Sequence, residues 1–587
     1  MHRFSNLPRP TAGVLLSATL ALGAALLAVA PVRGQIQFTD VSAAAGVDGD
    51  VYRSDTGHSL GVNWIDFNVD GWPDLFLVGG EASRPPVLYE NDGDGTFTRR
   101  PDLLPTLPAV EMSGSRFADY DRDGDPDLFI YTDNAQWSFG DSNLADGPAN
   151  LLLHNRWVET GGAPAAGQAL FEERAATAGL RGLAAPPFGD LPARRAKTAT
   201  WLDYDRDGCV DLFVGHLVLN AAGSPANRDH LYRNRCDGTF EDVTAASGVN
   251  PGTDPNVDRA ALVSAGFHLD QDLWPELIVI NVTSLEASPL FDDFFYRNLG
   301  GADGAAAFEE IGAAMPGIGD DAQAGMGIDT ADVDLDGDWD LYISDIYATT
   351  LDAAPLGNVF YAGDGAGGFH DNTADVLGIE AFDSWGVNFF DADADGWEDL
   401  FVSKISSAET EFFFRNDGAG EGGGHAGFTN VAAAAGIAAG NSRGSAVADY
   451  DRDGDLDFAV VNQNGPLQLF RNDTPDGGAY LLLELRGVQS SPDAIGTVVE
   501  ARTGAVTRRR QVKGGSSAHS QDSPTVHFGL GDAASVDEVR VRWPSGHEDL
   551  LTGVAVDRYL EVVEGRIFVD GFESGDPTAW SAVVQSP

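Results

Sequence analysis

The chain has 587 residues, with 36 basic and 90 acidic side chains and a formal net charge of −54. A surface this acidic repels phosphate groups, so we expect no nucleic-acid binding and no electrostatic docking on anionic membranes, and cations are the natural partners. Hydrophobic residues make up 43% of the chain, which is enough for a packed core and excludes a disordered protein.

The N-terminus carries the pattern of a secretory signal peptide. Arg3 and Arg9 precede an apolar run over residues 13–30 that is rich in Ala and Leu, which is typical of such a signal. We predict a signal peptide over residues 1–34 and a mature chain that begins at Gln35. No later apolar run approaches the ~20 residues that cross a bilayer. We therefore expect no transmembrane segment in the mature chain, and a protein that is secreted, at the cell surface or periplasmic.

A nine-residue acidic pattern, followed each time by an apolar strand, recurs along the chain. Its form is D-x-D/N-x-D-G-x-x-D, and intact copies begin at Asp66, Asp119, Asp203, Asp332, Asp391 and Asp449. A degenerate copy runs from His268 to Glu276, so successive copies start 53, 84, 65, 64, 59 and 58 residues apart. Each interval has room for one four-stranded sheet, and seven copies predict seven blades of a β-propeller.

A second pattern of strand, Gly-rich turn and strand lies between the acidic copies, for example at residues 88–100 and 231–243. The last copy lacks its outer strand, whereas an orphan copy of that strand lies at residues 38–47, before the first blade. We predict that the mature N-terminus supplies the outer strand of the seventh blade. This pairing would close a propeller over residues 35–479 and hide a sheet edge.

The acidic loops predict calcium sites. Carboxylates or an amide at positions 1, 3, 5 and 9, with a backbone carbonyl at position 7, surround one point with hard oxygen ligands, and Gly at position 6 permits a positive φ. Position 12, where an EF-hand has a bidentate Glu, is apolar in all six intact copies, which excludes an EF-hand. The predicted ligands are Asp66, Asn68, Asp70, Trp72, Asp74, Asp119, Asp121, Asp123, Asp125, Asp127, Asp203, Asp205, Asp207, Cys209, Asp211, Asp332, Asp334, Asp336, Asp338, Asp340, Asp391, Asp393, Asp395, Trp397, Asp399, Asp449, Asp451, Asp453, Asp455 and Asp457.

The degenerate fourth copy differs at two of the positions that matter. His268 replaces the first Asp, and Leu273 replaces the turn Gly. We expect this loop to hold no metal, with calcium binding as the alternative.

The six intact loops resemble the FG-GAP/VCBS repeats of integrin α-chain propellers. Residues 495–546 resemble the ASPIC/UnbV module that follows such repeats in cartilage acidic protein and in secreted bacterial proteins, although Ser517, Ala518 and His519 stand where bulkier residues are expected. The resemblance implies an all-β chain, with a seven-bladed propeller and calcium in the loops between the first and second strands of its blades. A small all-β module over residues 480–565 and a tail over residues 566–587 follow, and no catalytic residues are implied.

Two side-chain groups add to this outline. Cys209 lies in the third acidic loop and Cys236 in the turn that reaches the same end of that blade, so we predict a disulfide in an oxidising compartment. Arg508, Arg509, Arg510 and Lys513 form the cationic cluster of the C-terminal module. We interpret this cluster as a solvated hairpin, with docking on the acidic propeller as the alternative.

These features predict an exported calcium-binding protein, not an enzyme, that recognises or adheres to an extracellular protein or glycan. A propeller-based polysaccharide lyase or hydrolase is the alternative, as is a structural component of the envelope. We expect the partner on the face opposite the calcium loops, because chelation occupies the carboxylates and the connections on the other face vary freely. The contact candidates are Trp137 and Lys404. The insertion in the long second repeat, which holds Trp137 and Trp157, could equally be a lid packed on its own blade. The connections that follow the second strands also include Asp133, Asn134, His216, Asn281, Asp345 and Asn462.

Overall fold

The computed structural model describes residues 35–568 and 583–584, except for internal gaps at 53–59, 79–83, 134–149, 163, 165–166, 181–195, 217–228, 250–260, 282–292, 301–306, 313–324, 347–356, 374–382, 406–409, 420–426, 438–439 and 476. The predicted signal peptide lies outside the described residues. No helix in the described part of the chain is long and apolar enough to span a membrane.

The fold is almost entirely β-structure, as predicted, and the described residues form seven antiparallel sheets on one plan. In each sheet the strands follow one another in the order of the chain, apart from the seventh, whose outer strand precedes all the others. The strands, sheet by sheet, are Val62–Ile65, Asp74–Leu77, Val87–Asn91 and Phe97–Arg99; Glu111–Ala118, Asp127–Asp133, Leu151–His154 and Glu172–Glu173; Ala196–Leu202, Asp211–His216, His230–Asn234 and Phe240–Asp242; Ala261–Phe267, Glu276–Asn281, Phe294–Asn298 and Phe308–Glu310; Gly325–Ala331, Asp340–Asp345, Val359–Gly363 and Phe369–Asp371; Ser384–Phe390, Asp399–Lys404, Phe412–Asn416 and Phe428–Asn430; and Ser442–Ala448, Asp457–Asn462, Gly465–Asn472 and Phe38–Asp40.

Burial within the sheets follows from the pattern of apolar residues. The second strands are nearly continuous apolar runs and are buried along their length, as in Asp211–His216. Six of the seven outer strands bury only the first residue, as in Phe240–Asp242, and Glu172–Glu173 buries neither. A hydrophobic cluster lies between each pair of consecutive sheets, and another lies between the seventh sheet and the first. The sheets therefore surround a common centre in a propeller-like arrangement.

The N-terminal strand closes the seventh sheet, as predicted. Phe38–Asp40 pairs antiparallel with Gly465–Asn472, so that Phe38 lies opposite Asn472. This strand pairing is here called the seam. The short strand Val51–Tyr52 pairs with the same strand further along. The Phe38 ring packs between the sixth and seventh sheets, 5.0 Å from the ring of Phe458.

A repeated asparagine links neighbouring sheets. At the end of the third strand, its side-chain amide donates to the carbonyl of loop position 2 in the preceding sheet, as from Asn234 to Tyr120 (2.7 Å) and from Asn91 in the first sheet to Tyr450 in the seventh (2.9 Å). The same bond is made by Asn155, Asn298, Asn416 and Asn472. The fifth sheet has Gly363 at this position. The sequence shows an Asn at the end of six of the seven third strands, but it does not show what these side chains bond to.

The C-terminal module contains two further sheets. Strands Val526–Gly531, Ala479–Arg486 and Arg558–Val563 form one, and Val506–Gln511, Val498–Thr503, Ser535–Arg542 and Glu548–Ala555 form the other. The strand pair Ile567–Phe568 and Val583–Val584 belongs to the tail. Four single-turn helices complete the described structure, at Ser42–Ala45, Trp157–Thr160, Ala175–Ala178 and Thr244–Ser247.

Closure by the N-terminal strand leads to a stability prediction. Replacing Phe38 with Ala removes a ring that is 3% exposed and should lower the free energy of unfolding by about 3–5 kcal/mol, the usual cost for a buried Phe. Gln37→Ala, at the exposed neighbouring position, is the matched control and should change it by less than about 0.5 kcal/mol. Urea unfolding of both variants measures the difference. Equal effects would show that this strand does not stabilise the seam.

Candidate metal centres

Each intact acidic loop is folded by its own carboxylates. The position 1 carboxylate accepts a hydrogen bond from the N–H of position 6 in all six loops, for example from Gly124 to Asp119 at 3.0 Å. In five loops it also accepts from position 5, as from Asp123 at 3.1 Å. Gly at position 6 has φ between 88° and 102°, as predicted. Position 4 is also left-handed, although it carries a side chain, at Val69, Arg122, Arg206, Leu335, Ala394 and Arg452.

The position 9 aspartate braces the loop against the rest of its sheet. In the third loop, Asp211 accepts from the N–H of Tyr204 at 3.1 Å and from that of Asn234 at 2.8 Å. The other five intact loops repeat both bonds. This carboxylate therefore ties the start of the loop to the end of the third strand whether or not a metal is bound.

Several buried carboxylate oxygens in these loops have no hydrogen-bond partner among the described residues. They are Oδ1 of Asp121, Asp125, Asp205, Asp332 and Asp451, and Oδ2 of Asp123. They lie at positions 1, 3, 5 and 7, and carboxylates of one loop approach within 4.8 Å of one another, as in the set Asp203, Asp205 and Asp211. Buried oxygens without a donor cost free energy. The donor chemistry fits a hard divalent cation such as calcium.

The degenerate fourth loop is built differently. The His268 side chain leaves the loop, and its Nε2 lies 2.7 Å from the carbonyl of Gly496 in the C-terminal module. The left-handed residue is Leu273, and no carboxylate stands at position 1 to collect the loop N–H groups. This arrangement agrees with a loop without metal, which stays a prediction.

Burial raises the pKa of the loop carboxyls above the ordinary range. The pKa of Asp66 rises to about 6, those of Asp332 and Asp449 to about 7, that of Asp203 to about 8 and that of Asp119 to about 9. Desolvation is the largest cause in each, and neighbouring carboxylates add to it. A bound cation would favour the charged forms.

Comparison with known families agrees with this arrangement. A family model described as an FG-GAP-like repeat matches residues 66–130, which hold the first two acidic loops. A model described as ASPIC and UnbV matches residues 487–567. The chain contains an FG-GAP-like repeat and an ASPIC/UnbV domain.

Two crystal structures of BBS1N in complex with ARL6DN, one soaked with mercury and one with lead, are similar in part. They share 10% and 11% identity with this chain, cover 76% and 75% of it and 99% and 97% of their own chains, and give TM-scores of 0.39 and 0.37. At these scores the likeness supports no conclusion about this chain. No curated protein matches it.

The ASPIC/UnbV domain rests on the acidic loops of the propeller-like part. The guanidinium of Arg122, at position 4 of the second loop, donates to the carbonyl of Val488 at 2.8 Å. His527 Nε2 lies 3.1 Å from the carbonyl of Gly454 in the last loop, and the hydroxyl of Tyr559 donates to Asp449. The core of the domain is also continuous with the cluster between the second and third sheets. The domain therefore covers the end of the sheets that carries the acidic loops.

Residues 513–523 of this domain, here called the plug segment, contact the first strand of every one of the seven described sheets. The main contacts are Gln521 with Val62, Trp64 and Phe117, Gly514 with Trp201, Lys513 with Phe267 and Asp329, Ser517 with Ile328 and Val387, and Asp522 with Asn388 and Val447. Residues Ser516–Gln521 are all buried. The plug segment therefore fills the middle of the ring of first strands.

The interpretation of the cationic cluster as a solvated hairpin is wrong, and the docking alternative is correct. Arg508 and Arg509 are each only 6% exposed. Arg509 donates to the carbonyl of Gly337 in the fifth loop, and Arg510 pairs with Glu398 in the sixth. An acidic surface attracts cationic side chains, and these provide several of the contacts that hold the two parts together.

The predicted contact residues at the opposite end of the sheets are mostly buried. His216, Asn281, Asp345 and Asn462 are at most 6% exposed, and the N–H of His216, for example, is bonded to Asp229. These four are poor candidates for contact with a partner. Lys404 stays partly exposed, with its ammonium 4.8 Å from the centre of the Phe412 ring.

The remaining candidates fall elsewhere. Asn134 and Trp137 lie outside the described residues, as does the Asp133 side chain. Trp157 lies at the acidic-loop end and packs against Phe67 with ring centres 6.1 Å apart, so its predicted place on the opposite face is wrong.

The predicted disulfide is confirmed. Cys209 and Cys236 are bonded, with Cα atoms 5.7 Å apart, and they lie 27 positions apart in the chain. A loop of this length gives roughly 3 kcal/mol of stabilisation in the chain-entropy model. The bond leaves the backbone carbonyl of Cys209 as the group of that residue that a metal could use.

The raised pKa values give a pH prediction for chelator-treated protein. Between pH 6.5 and 8.5 the folded state holds protons on loop carboxyls, such as Asp203 (pKa about 8), that the unfolded state, with pKa values near 3.8, has already lost. The free energy of unfolding should therefore fall as pH rises through this window. The pH window begins at 6.5 because of His268 and His527, whose burial lowers their pKa in the folded state to about 4 and about 3. Below this pH the unfolded state would protonate them, which would change the stability in the opposite direction.

Urea unfolding at several pH values, with calcium omitted and chelator present, measures this trend. Saturating calcium is the comparison, and it should flatten the slope because the cation replaces the protons. A metal-free protein that gains stability toward pH 8.5 would contradict the prediction.

The plug segment leads to a second prediction. Burial alone lowers the pKa of Lys513, but Asp329 and Asp522 raise it more, so the side chain stays charged. Lys513→Met leaves the fully buried Asp329 without its cation and should cost about 3–5 kcal/mol of unfolding free energy. Arg502→Met, which breaks a largely exposed pair with Asp537 at 3.6 Å, should cost no more than about 1 kcal/mol. Similar losses in the two variants would argue against a structural role for the plug segment.

Proposed function

We propose that this chain is an exported, calcium-binding, seven-bladed β-propeller that recognises an extracellular protein or glycan on the face opposite its acidic loops. The seven described sheets around one centre, with a seam closed by the N-terminal strand, support the seven-bladed form. The observation that carries the calcium role is the set of buried loop oxygens without a hydrogen-bond donor. Export is supported by the signal-peptide pattern and by the disulfide.

In this proposal, calcium is held by the carboxylates at positions 1, 3 and 5 and by the carbonyl at position 7, with position 9 as a further oxygen donor. The charge of the cation offsets the repulsion among these carboxylates. The loops it fixes are the ones on which the ASPIC/UnbV domain rests, as at Gly454 and Asp449. Calcium would then stabilise the contact between the two parts as well as each loop.

We place the partner on the face opposite the acidic loops because the face that carries these loops is already covered. The ASPIC/UnbV domain occupies the acidic-loop end, and the plug segment fills the ring of first strands with buried residues. A lyase or hydrolase that works at the middle of the ring needs a concave pocket lined by reactive groups. Because the described structure places the plug segment there, recognition is favoured over catalysis.

Calcium should stabilise the folded chain. Extracellular sites bind calcium at ~10⁻⁴–10⁻³ M, so at millimolar calcium each site adds on the order of 0.4–1.4 kcal/mol by mass action. Excess chelator should therefore lower the melting temperature. Asp451→Asn changes a position 3 carboxylate with an unpartnered buried oxygen and should reduce both the bound calcium and this shift. Asp94→Asn, in an exposed turn, should change neither.

Calorimetry measures the melting temperature, and metal analysis of the same samples measures the bound calcium. An unchanged melting temperature after verified removal of metal would exclude the calcium role.

Recognition is tested by capture from native envelope or matrix material, with and without chelator. Lys404→Ala should reduce the recovery of a captured protein or glycan without lowering the melting temperature, because the ammonium is partly exposed and not part of the core. Arg502→Ala, on the ASPIC/UnbV domain, is the matched loss of one exposed cation and should leave recovery unchanged. Recovery that depends on Arg502 and not on Lys404 would place the partner on the wrong face for this proposal.

A further inference from the structure

The second sheet departs from the common plan at two places that meet in its acidic loop. The first is the residue before the linking asparagine. It is Arg in the third, fourth, sixth and seventh sheets, but His154 in the second. In the third sheet this side chain faces the acidic loop, since Arg233 Nε lies 2.7 Å from Oδ2 of Asp205. The same position in the second sheet therefore directs an imidazole at the loop carboxylates.

The second departure is the turn that follows. Where most other sheets have a Gly-rich hairpin, the second has the single-turn helix Trp157–Thr160. The N–H of Val158 donates to Asp125 Oδ2 at 2.7 Å, which holds the helix against the loop. This placement brings Glu159 to the imidazole of His154, with Oε1 2.9 Å from Nε2.

The resulting cluster contains a nitrogen donor among carboxylates. His154 is fully buried, and its Nδ1 lies 3.2 Å from Asp121 Oδ2 and 3.1 Å from Asp127 Oδ1. Asp121 and Asp127 also have donor atoms within 4.8 Å of each other, whereas Asp123 Oδ2 lies on the other side of the ring, 4.0 Å from Nε2. The fully buried Asp125 also has an oxygen, Oδ1, without a partner among the described residues.

This donor set suits a different ion from the other five intact loops. Calcium takes oxygen ligands, whereas imidazole together with carboxylates is typical of zinc and its first-row neighbours. A metal-bound histidine usually donates its second ring N–H to a carboxylate, which fixes the ring. Glu159 is placed to accept that hydrogen bond from Nε2.

We propose that the second acidic loop binds a transition-metal ion of the Zn²⁺ class through His154 Nδ1, Asp121 and Asp127, with Glu159 as the positioning residue. The inference rests on the part of the proposed function that assigns cations to the acidic loops, and it changes the ion at one of them. It does not depend on which partner the opposite face recognises.

Co²⁺ is the probe, because its visible absorption reports nitrogen and oxygen ligation directly. The full chain, stripped of metal and then held in millimolar calcium, is titrated with Co²⁺. We expect one Co²⁺ per chain that calcium does not displace and Zn²⁺ does. His154→Arg installs the residue found in four of the other sheets and should abolish this signal. His370→Arg, at an exposed strand position in the fifth sheet, is the matched control and should keep it.

Glu159→Gln tests the positioning role with little risk to folding, because the Glu159 side chain is 44% exposed. It should weaken Co²⁺ binding about 10–100-fold and change the visible spectrum, whereas a merely structural effect would leave the spectrum of the bound ion unchanged. Circular dichroism confirms that each variant is folded.

Two results would overturn the inference: complete displacement of Co²⁺ by millimolar calcium, or undiminished Co²⁺ binding by His154→Arg. Calcium is counted in the same samples. One calcium-resistant Co²⁺ in a chain that holds no calcium would refute the calcium role and leave this inference standing. Calcium in the other loops without such a Co²⁺ site would refute this inference and leave the calcium role standing.

Discussion

Contacts between the plug segment and the first strands of the seven sheets, which are hydrogen bonds in six sheets and a cation–π contact in the fourth, are the contacts on which the rest of the molecule depends. First strands that surround a common centre leave backbone groups facing it, and buried backbone groups need partners. The plug segment supplies them, as where the carbonyl of Gly514 accepts from Trp201 at 3.1 Å. A Cβ at Gly514 would lie 2.0 Å from the Trp201 carbonyl oxygen, so only glycine permits this approach. The ASPIC/UnbV domain thus completes the propeller-like part instead of merely following it.

Within the acidic loops, some positions bond to backbone N–H groups and others leave oxygens for a cation, a difference that the repeated sequence pattern does not show. Positions 1 and 9 collect loop and strand N–H groups, whereas the unpartnered oxygens lie mainly at positions 3, 5 and 7. The fourth loop supports this division. It has lost the position 1 carboxylate, yet Glu276 at position 9 still accepts from the N–H of Leu269 at 2.9 Å. The hydrogen bond from position 9 is therefore present even in a loop that lacks the features expected for chelation.

Much of this arrangement could be predicted from the sequence, because it repeats. The period of the acidic copies predicted the sheets, and the orphan segment at residues 38–47 predicted the strand that closes the seventh sheet. The positions of Cys209 and Cys236 in loops at the same end of one sheet predicted the disulfide. The contacts made once could not be predicted. Nothing in the spacing of Lys513 or Gln521 shows that they meet strands hundreds of residues earlier, and the burial of the arginine cluster depends on that docking.

The surroundings of the second acidic loop could not be predicted from its sequence pattern either. Its nine-residue pattern is intact, and its departure lies in His154 and Glu159, which come from a neighbouring strand and turn. A pattern read along one segment does not show side chains that enter from another. The asparagine links could not be predicted for a related reason, because the carbonyl that each Asn side chain bonds to belongs to the preceding sheet.

The seam also fixes an order of events during synthesis. Gln37 and Thr474 are hydrogen-bonded across 437 positions of the chain, so the strand beside Gln37 has no partner until nearly the whole ring has been made. The plug segment arrives later still. Contacts of such long range make folding slow, and unpaired edges are prone to aggregate while they wait. The first strand therefore stays unpaired until the residues near position 470 are available, and the seventh sheet closes late in folding.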